Sequence, residues 1–326
     1  MMKGIKRFIK KKFINESHPF LWSLWFSRVE RRTWSTHERH KRMSYAEIET
    51  EISRQYERVF GRKLNWDNPQ TYNEKINVSK VYMPTPEKTR LSDKYLVREW
   101  IREKIGEEYL IPLLGVYDSF DEIDFDSLPD KFVIKCNHDS GSVTLVREKS
   151  RLNMKMMKHK YNFHLRCNYA YLHHEMQYRD IKPRIIVEKF MGDAINDYKF
   201  LCFGGKPHYC WVDFDRYTNH KRNMYNLDWE LQPFNQWHYG NYNGRVERPE
   251  CFDEMKRIAE ILCEDFGHVR VDLYICEGRI YFGEMTFSNG NGFEEITPEE
   301  WSLKLGELWP FDNTVRRKIL SERTHP

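Results

Sequence analysis

The sequence predicts a mixed fold of helices and sheet, α+β or α/β, on three observations. The segment from about Ser44 to Trp100 carries apolar residues at helical spacing. From Glu108 the pattern shortens into strand-like runs bounded mostly by Gly, Pro, Asn or Asp. A helical stretch at 251–266 then separates those runs from a closing hairpin. The length of 326 residues, at about 150 per domain, suggests about two structural units.

Taken in order, Ser44 is placed to cap a helix whose inward face is Tyr45, Ile48, Ile52, Tyr56 and Phe60, and Asn68-Pro69 marks a break. Ser92-Asp93-Lys94 opens a further helical stretch. Strands are expected at 109–115, at 131–136 after the turn Leu128-Pro129-Asp130, and at 184–188, 200–203 and 208–212. In the helix at 251–266, Met255, Ile258, Ala259 and Leu262 share one face. The hairpin pairs 269–275 with 279–284 around Cys276-Glu277-Gly278. There is no internal repeat and no low-complexity stretch.

Composition narrows the class. Apolar residues at 40%, with 16 glycines, reach the level of a globular protein and exclude wholesale disorder. Seven cysteines form no C-x-x-C pair, which argues against a disulfide framework or a Cys-rich zinc site and fits a reducing compartment. No apolar run approaches the ~20 residues of a spanning helix. The net charge of +4 hides an asymmetry, because residues 1–43 hold twelve Lys/Arg against three Glu, leaving the remainder acidic. An acidic body argues against nucleic-acid binding. In the basic segment Ile5, Phe8, Ile9 and Phe13 recur at helical spacing, the pattern of an amphipathic helix lying on an anionic membrane surface. A basic tail packed on its own domain fits the pattern equally well. The expected location is cytoplasmic, peripheral on the inner face of the cytoplasmic membrane.

Four segments carry chemistry. Ser92-Asp93-Lys94 is the first, and the second is a strand ending in Lys135 beside the small polar loop 137–142, which contains Ser140 and Gly141. A lysine and backbone N–H groups of such a loop suit the oxygens of a polyphosphate. Third is an apolar strand running into Glu188-Lys189-Phe190, with Asp197 and Lys199 soon after. In the fourth, Arg270 and Asp272 are two apart and share a strand face, and Glu284 lies on the neighbouring strand of the hairpin. Two carboxylates facing one another repel unless a cation lies between them, and hard oxygen donors favour Mg2+. The alternative is a cross-strand pair balanced by Arg270, worth about 0.2–1 kcal/mol. In company with the lysines and the E-K-F tripeptide, the metal reading is preferred.

Other features are weaker. His173-His174-Glu175 reads as polar loop or lid surface, since adjacent residues diverge. Asp213-Phe214-Asp215 has the D-x-D form of many glycosyltransferases, and Asp124-Phe125-Asp126 repeats it by chance. Arg216, His220, Lys221 and Arg222 form a basic cluster suited to a carboxylate- or phosphate-bearing substrate, or a plain solvated loop. Asn289 and Asn291, in the loop after the hairpin, are candidates for substrate contacts.

The ordered stretches NPQTYNEKI (68–76), DKYLVREWI (93–101), LPDKFVIKCNHDSG (128–141), KPRIIVEKFM (182–191), DYKFLCFGGKP (197–207) and VRVDLYICEGRIYFGEMTFSNGNGF (269–293) resemble the ATP-grasp superfamily and its TupA-like branch, associated with teichuronopeptide and other bacterial cell-surface polysaccharides. The resemblance implies an α+β fold of two subdomains clasping ATP. The basic segment 1–43 and a helical region 44–125 would precede a small lid subdomain, 126–190, and a C-terminal core, 191–326. It implies that Lys94 and Lys135 hold the α/β phosphates, that the loop with Ser140 and Gly141 closes over the triphosphate, and that Glu188, Lys189 and Phe190 form the adenine hinge. Asp197, with Lys199 nearby, would receive the ribose; Asp272 and Glu284 would hold Mg2+, and Arg270 would face the transferring phosphate. Two departures stand out: Thr286 replaces the usual Asn two residues beyond the Glu, and the phosphate loop has a single glycine. The implied activity is an ATP- and Mg2+-dependent carboxylate–amine ligase acting through an acyl phosphate on a surface polysaccharide or its precursor. A glycosyltransferase of capsule or O-antigen synthesis using Asp213 and Asp215 is the alternative, and a nucleotide-binding module without turnover is the third.

Overall fold

A computed structural model describes residues 19–192, 196–214, 220–237, 239–244, 246–322 and 325–326, with backbone alone for 19–26 and 196. The Ile5, Phe8, Ile9, Phe13 stripe lies outside the described residues, as do Asp215 and Arg216.

The front of the chain is helical: α1 (Pro19–His40) lies ahead of the segment whose periodicity predicts helix, and α2 (Tyr45–Phe60), α3 (Tyr72–Tyr82), α4 (Pro86–Ser92) and α5 (Val97–Lys104) follow as that periodicity predicts. Ser44 caps α2 in a reciprocal box with Glu47, and Thr71 does the same for α3 with Glu74. Each box satisfies orphan N–H groups at a helix start. The inward face of α2 is Tyr45, Ile48, Ile52 and Tyr56. Ser92-Asp93-Lys94 departs from expectation. Ser92 ends α4, and the buried Asp93 carboxylate accepts from the N–H groups of Tyr95 (2.8 Å) and Leu96 (3.2 Å), turning the chain before α5. Lys94 therefore projects from a turn between two helices.

Two antiparallel sheets follow. The smaller runs β1 (Leu113–Tyr117), β4 (Ile185–Lys189), β2 (Phe132–Cys136), β3 (Thr144–Val146) in spatial order, and α6 (Met154–Arg166) packs Met157 and Tyr161 against Phe132, Ile134 and Val187. A short α7 (Ala170–His173) precedes β4. The larger sheet has the order β10 (Arg279–Thr286), β9 (His268–Cys276), β5 (Asn196–Phe203), β6 (Lys206–Phe214), β7 (Lys221–Asn226). A minor pair joins β8 (Asn235–Gln236) to β11 (Ile296–Thr297). The helix α8 (Phe252–Cys263) covers one face of the larger sheet through Phe252, Met255, Ile258 and Leu262, which meet Phe200, Cys202, Val269 and Val271. Helices α9 (Glu300–Glu307) and α10 (Thr314–Glu322) end the chain. β1 starts later than predicted because Glu107–Tyr109 forms a 3-10 turn.

The other face of the larger sheet positions the site. Side chains alternate, so Leu201, Phe203, Trp211 and His268 share it with Asp197, Lys199, Asp213, Arg270 and Asp272. At one end Tyr72 and Ile76 of α3 and Leu305 of α9 cover the apolar members. The charged members occupy the other end. Among the described residues no helix is long and apolar enough to cross a membrane.

Candidate active site

The charged end is built on the β9–β10 hairpin. The turn Glu277-Gly278, both residues at positive φ, sets Arg279 opposite Cys276. Strict alternation from there would put Glu284 opposite Val271, on the face packed against α8. A bulge at Gly283 adds one residue and brings Glu284 opposite Asp272. The position requires glycine, because a Cβ there would lie 2.9 Å from the Asp272 carbonyl oxygen and 2.9 Å from the Tyr274 ring.

Arg270 lies between the two carboxylates. Its Nε donates to Asp272 Oδ1 (2.6 Å), and its Nη2 donates to Asp272 Oδ2 (2.7 Å) and Glu284 Oε1 (2.8 Å). Lys199 Nζ is 2.7 Å from Asp272 Oδ2 and 3.2 Å from Asp197 Oδ2. The sequence reading expects a cation between Asp272 and Glu284; here the Arg270 guanidinium lies there, and the Lys199 ammonium lies between Asp272 and Asp197. Asp272, Asp197 and Lys199 are buried, so pairing is what makes their charges tolerable. Burial raises the Glu284 carboxyl pKa, but Arg270, then Lys94 and Lys199, with a hydrogen bond from Thr286, lower it to about 2. Asp272 and Glu284 in turn hold the Arg270 guanidinium charged against the cost of its burial.

Arg270 is also aimed from behind. Its Nη1 donates to Asn289 Oδ1 (2.7 Å), and Asn289 Nδ2 donates to Gln236 Oε1 (2.9 Å) and to the Tyr72 hydroxyl (3.2 Å). His268 Nδ1 donates to the Cys202 carbonyl (2.8 Å), so the Tyr72 hydroxyl donates to His268 Nε2 (3.1 Å). Burial lowers the His268 pKa to about 3, which keeps the ring in the neutral form this chain of bonds requires. Asn289, 1% exposed, thus orients Arg270 from within the fold.

On the smaller sheet, Lys135 Nζ is 2.6 Å from Glu188 Oε2, and Arg98 Nη1 is 3.5 Å from Glu188 Oε1. Lys94 Nζ donates to the Asp139 carbonyl (2.5 Å) and is near enough for its charge to lower the Glu284 carboxyl. The loop after Lys135 is fixed from beneath. Asp139 accepts from Ser142 Oγ (2.6 Å) and pairs with His164 Nδ1 (2.6 Å), while Ser142 Oγ accepts from Cys136 N (2.8 Å). Burial raises the Asp139 pKa, but His164, Lys94 and Ser142 bring it below the usual range. Ser140 and Gly141 stand exposed at the tip, Gly141 at φ 132. Of the expected hinge, Lys189 donates its N–H to the Pro112 carbonyl (2.9 Å), and Phe190 lies under the Arg147 guanidinium at 6.0 Å.

The remaining candidates are elsewhere engaged. Arg222 grips Asp213 through Nε (2.6 Å) and Nη2 (3.1 Å), with His220 Nε2 at 2.9 Å, so of the basic cluster Arg222 is a buried ion-pair partner and not part of a solvated loop. Burial opposes the Asp213 charge, but Arg222 lowers its pKa far below the usual carboxylate range. Asn291, at φ 53, accepts from Lys80 Nζ through its carbonyl (2.9 Å) and side chain (2.8 Å). Tyr72, His268 and Lys80 escaped the sequence reading, since their partners lie about 200 residues away along the chain and no local spacing encodes them.

Two unequal antiparallel sheets meeting at a charged hairpin form the frame of the ATP-grasp enzymes, a class of ATP-dependent ligases. The family profile described as TupA-like ATPgrasp matches residues 74–309, and the chain belongs to that family. Solved structures similar to it include the D-alanine–D-alanine ligase from Bacillus anthracis, at 17% identity over 70% of this chain and 68% of that one with a TM-score of 0.41. The L-amino acid ligase from Bacillus licheniformis follows at 12% identity over 74% and 55%, TM-score 0.41. The phosphoribosylamine–glycine ligase from Thermotoga maritima has 13% identity over 63% and 50%, TM-score 0.38. The chain thus spans about half the length of the last two. No curated protein matches it.

Proposed function

We propose that this ATP-grasp protein is a carboxylate–amine ligase that modifies a bacterial cell-surface polysaccharide or its precursor. The observation that carries the ligase chemistry is the Arg270, Asp272, Glu284, Lys199 cluster on one sheet face, with Lys94 near enough for its charge to act on Glu284. A substrate carboxylate oxygen attacks the γ-phosphorus of ATP and ADP leaves. An amine nitrogen then attacks the acyl carbon and loses a proton, and inorganic phosphate departs with the former carboxylate oxygen. Lys94 and Lys135 bind the phosphates, and Arg270 holds the oxygens on which charge grows during transfer. Glu188, Lys189 and Phe190 line the base, with Asp197 toward the ribose. Asp272 and Glu284, hard donors on adjacent strands, suit Mg2+, and Glu284, 40% exposed, is the more open of the two. When bound, Mg2+ supplies charge neutralisation on the triphosphate.

The polysaccharide part of the reading rests on the TupA-like branch, and the basic segment 1–43 extends it to enzyme held at the inner membrane face. The glycosyltransferase alternative is the weaker reading, since the family that matches the chain is an ATP-grasp one. The test is purified protein with ATP, Mg2+ and a panel of uronates and amino acids, read as ADP release and as hydroxamate after trapping with hydroxylamine. ADP that forms only with a carboxylate, and hydroxamate alongside it, is the expected result. ATP binding without ADP across the panel would leave a nucleotide-binding module. Co-sedimentation of full-length and 44–326 protein with anionic vesicles tests the membrane contact.

A further inference from the structure

Away from the β9–β10 hairpin, among the described residues, three side chains bring metal-ligating atoms together. His40 ends α1, Glu51 lies on α2, and His174 follows α7; one ligand atom from each lies within 4.8 Å of the others. His40 Nε2 is 2.8 Å from Glu51 Oε1, and His174 Nε2 is 3.8 Å from the same oxygen. The two rings stack with centroids 4.3 Å apart, so both Nε2 edges converge on one carboxylate. Tetrahedral bonds of zinc length place ligand atoms about 3.3 Å apart, within this range.

Two further observations point to a missing partner. His174 is 5% exposed, and neither ring nitrogen has a hydrogen-bond partner among the described residues. Its backbone is at φ 58, an uncommon conformation for a residue with a side chain. A ring buried with both polar atoms unpaired is costly unless something else satisfies it. The sequence pattern His173-His174-Glu175 suggested loop surface; instead His174 and Glu175 are both buried.

We propose that His40, Glu51 and His174 bind one divalent transition-metal ion of the zinc type. Two imidazoles and a carboxylate form a borderline donor set that favours zinc over magnesium. Arg39 now fills the cation's role: it pairs with Glu51, and its Nη2 donates to His40 Nε2 at 2.8 Å, which fixes a lone pair on that atom. Its side chain is 56% exposed and can withdraw into solvent. The ion would join the end of α1 and the middle of α2 to the segment leading into Glu175, which accepts a hydrogen bond from Ser288 just beyond β10. The proposal stands apart from the ligase reading.

Untagged full-length protein, stripped with a chelator, is titrated with zinc chloride against a chromophoric chelator. One zinc per chain is expected, with a raised melting temperature, and excess Mg2+ should not displace it. Glu51→Gln and His174→Gln should each weaken binding by at least about 100-fold. Cobalt substitution should give the visible bands of a low-coordinate site with histidine ligands, a signature of the wild-type protein that needs no folded variant. Substoichiometric zinc at micromolar concentration, absence of those bands, or folded variants that bind as tightly as wild type would overturn the proposal.

Discussion

On the larger sheet, Arg270 has Asp272, Glu284 and Asn289 as partners, and Lys199 has Asp272 and Asp197. On the smaller one Lys135 has Glu188, and Lys94, in the turn between α4 and α5, has the Asp139 carbonyl oxygen. Asp272, Asp197 and Lys199 have almost no access to water and must be fully paired within the fold, whereas a lysine held by one partner can exchange it for another anion at smaller cost. On the proposed reading the hairpin is set before nucleotide arrives, and Lys94 and Lys135 would be the groups that exchange partners on binding.

The largest effect should come from breaking the preset side. Asp272→Asn leaves Arg270 and Lys199 without their shared countercharge, and a loss on the order of 3–5 kcal/mol in urea denaturation is expected, with ADP formation abolished. A loss below about 1 kcal/mol would show that the pairing is not what holds the charges there.

The exchanging side is sharpened by a pair of variants. Lys135→Ala should weaken ATP binding by roughly 1.5–3 kcal/mol, about 10- to 100-fold, as a charge-assisted partner is lost. Glu188→Gln should bind ATP at least as well as wild type, because the carboxylate that competes with the phosphates is gone. Weaker binding by both variants in a nucleotide titration would mean that the Glu188 carboxylate, and not only the main chain of the proposed hinge, contacts the nucleotide.

The smallest effect concerns pH. The folded-state pKa of His268 is lowered by burial from 6.5 to about 3, so between those values the unfolded chain binds a proton the folded one does not. Its contribution is complete well above pH 6.5 and is lost as pH falls through that window, on the order of 1 kcal/mol by pH 5.5. His268→Gln should flatten that part of the stability profile, compared with wild type by denaturation at pH 7.5 and 5.5. An unchanged slope would remove His268 as its source.

Much of this arrangement was legible in the sequence. The Ser44 cap, the helix at Phe252–Cys263 and the strands of the closing hairpin follow from capping chemistry and periodicity, which act over a few residues. The placement of Glu284 does not. Counting alternate residues back from Glu277-Gly278 gives the wrong face, and only the glycine inside the strand hinted at the extra residue. β7 was missed because it offers Met224 and Tyr225 among polar residues, and α6 because it buries only Met157 and Tyr161. The partners of Arg270 and Lys199 were out of reach of any local pattern, since sheet register sets them.

The Tyr72 hydroxyl bears on where the molecule can be divided. It has one proton to give and gives it to His268, while its oxygen receives the Asn289 amide. Excising α3 would leave an imidazole lone pair and an amide N–H facing the apolar surroundings of Phe203 and Trp309, and Arg270 would lose its backing. A boundary drawn near residue 125 therefore puts Tyr72 on one side and the His268 and Asn289 that it bonds on the other. The shortest piece that keeps Arg270 aimed must begin ahead of Tyr72, before the point at which the family likeness starts at residue 74.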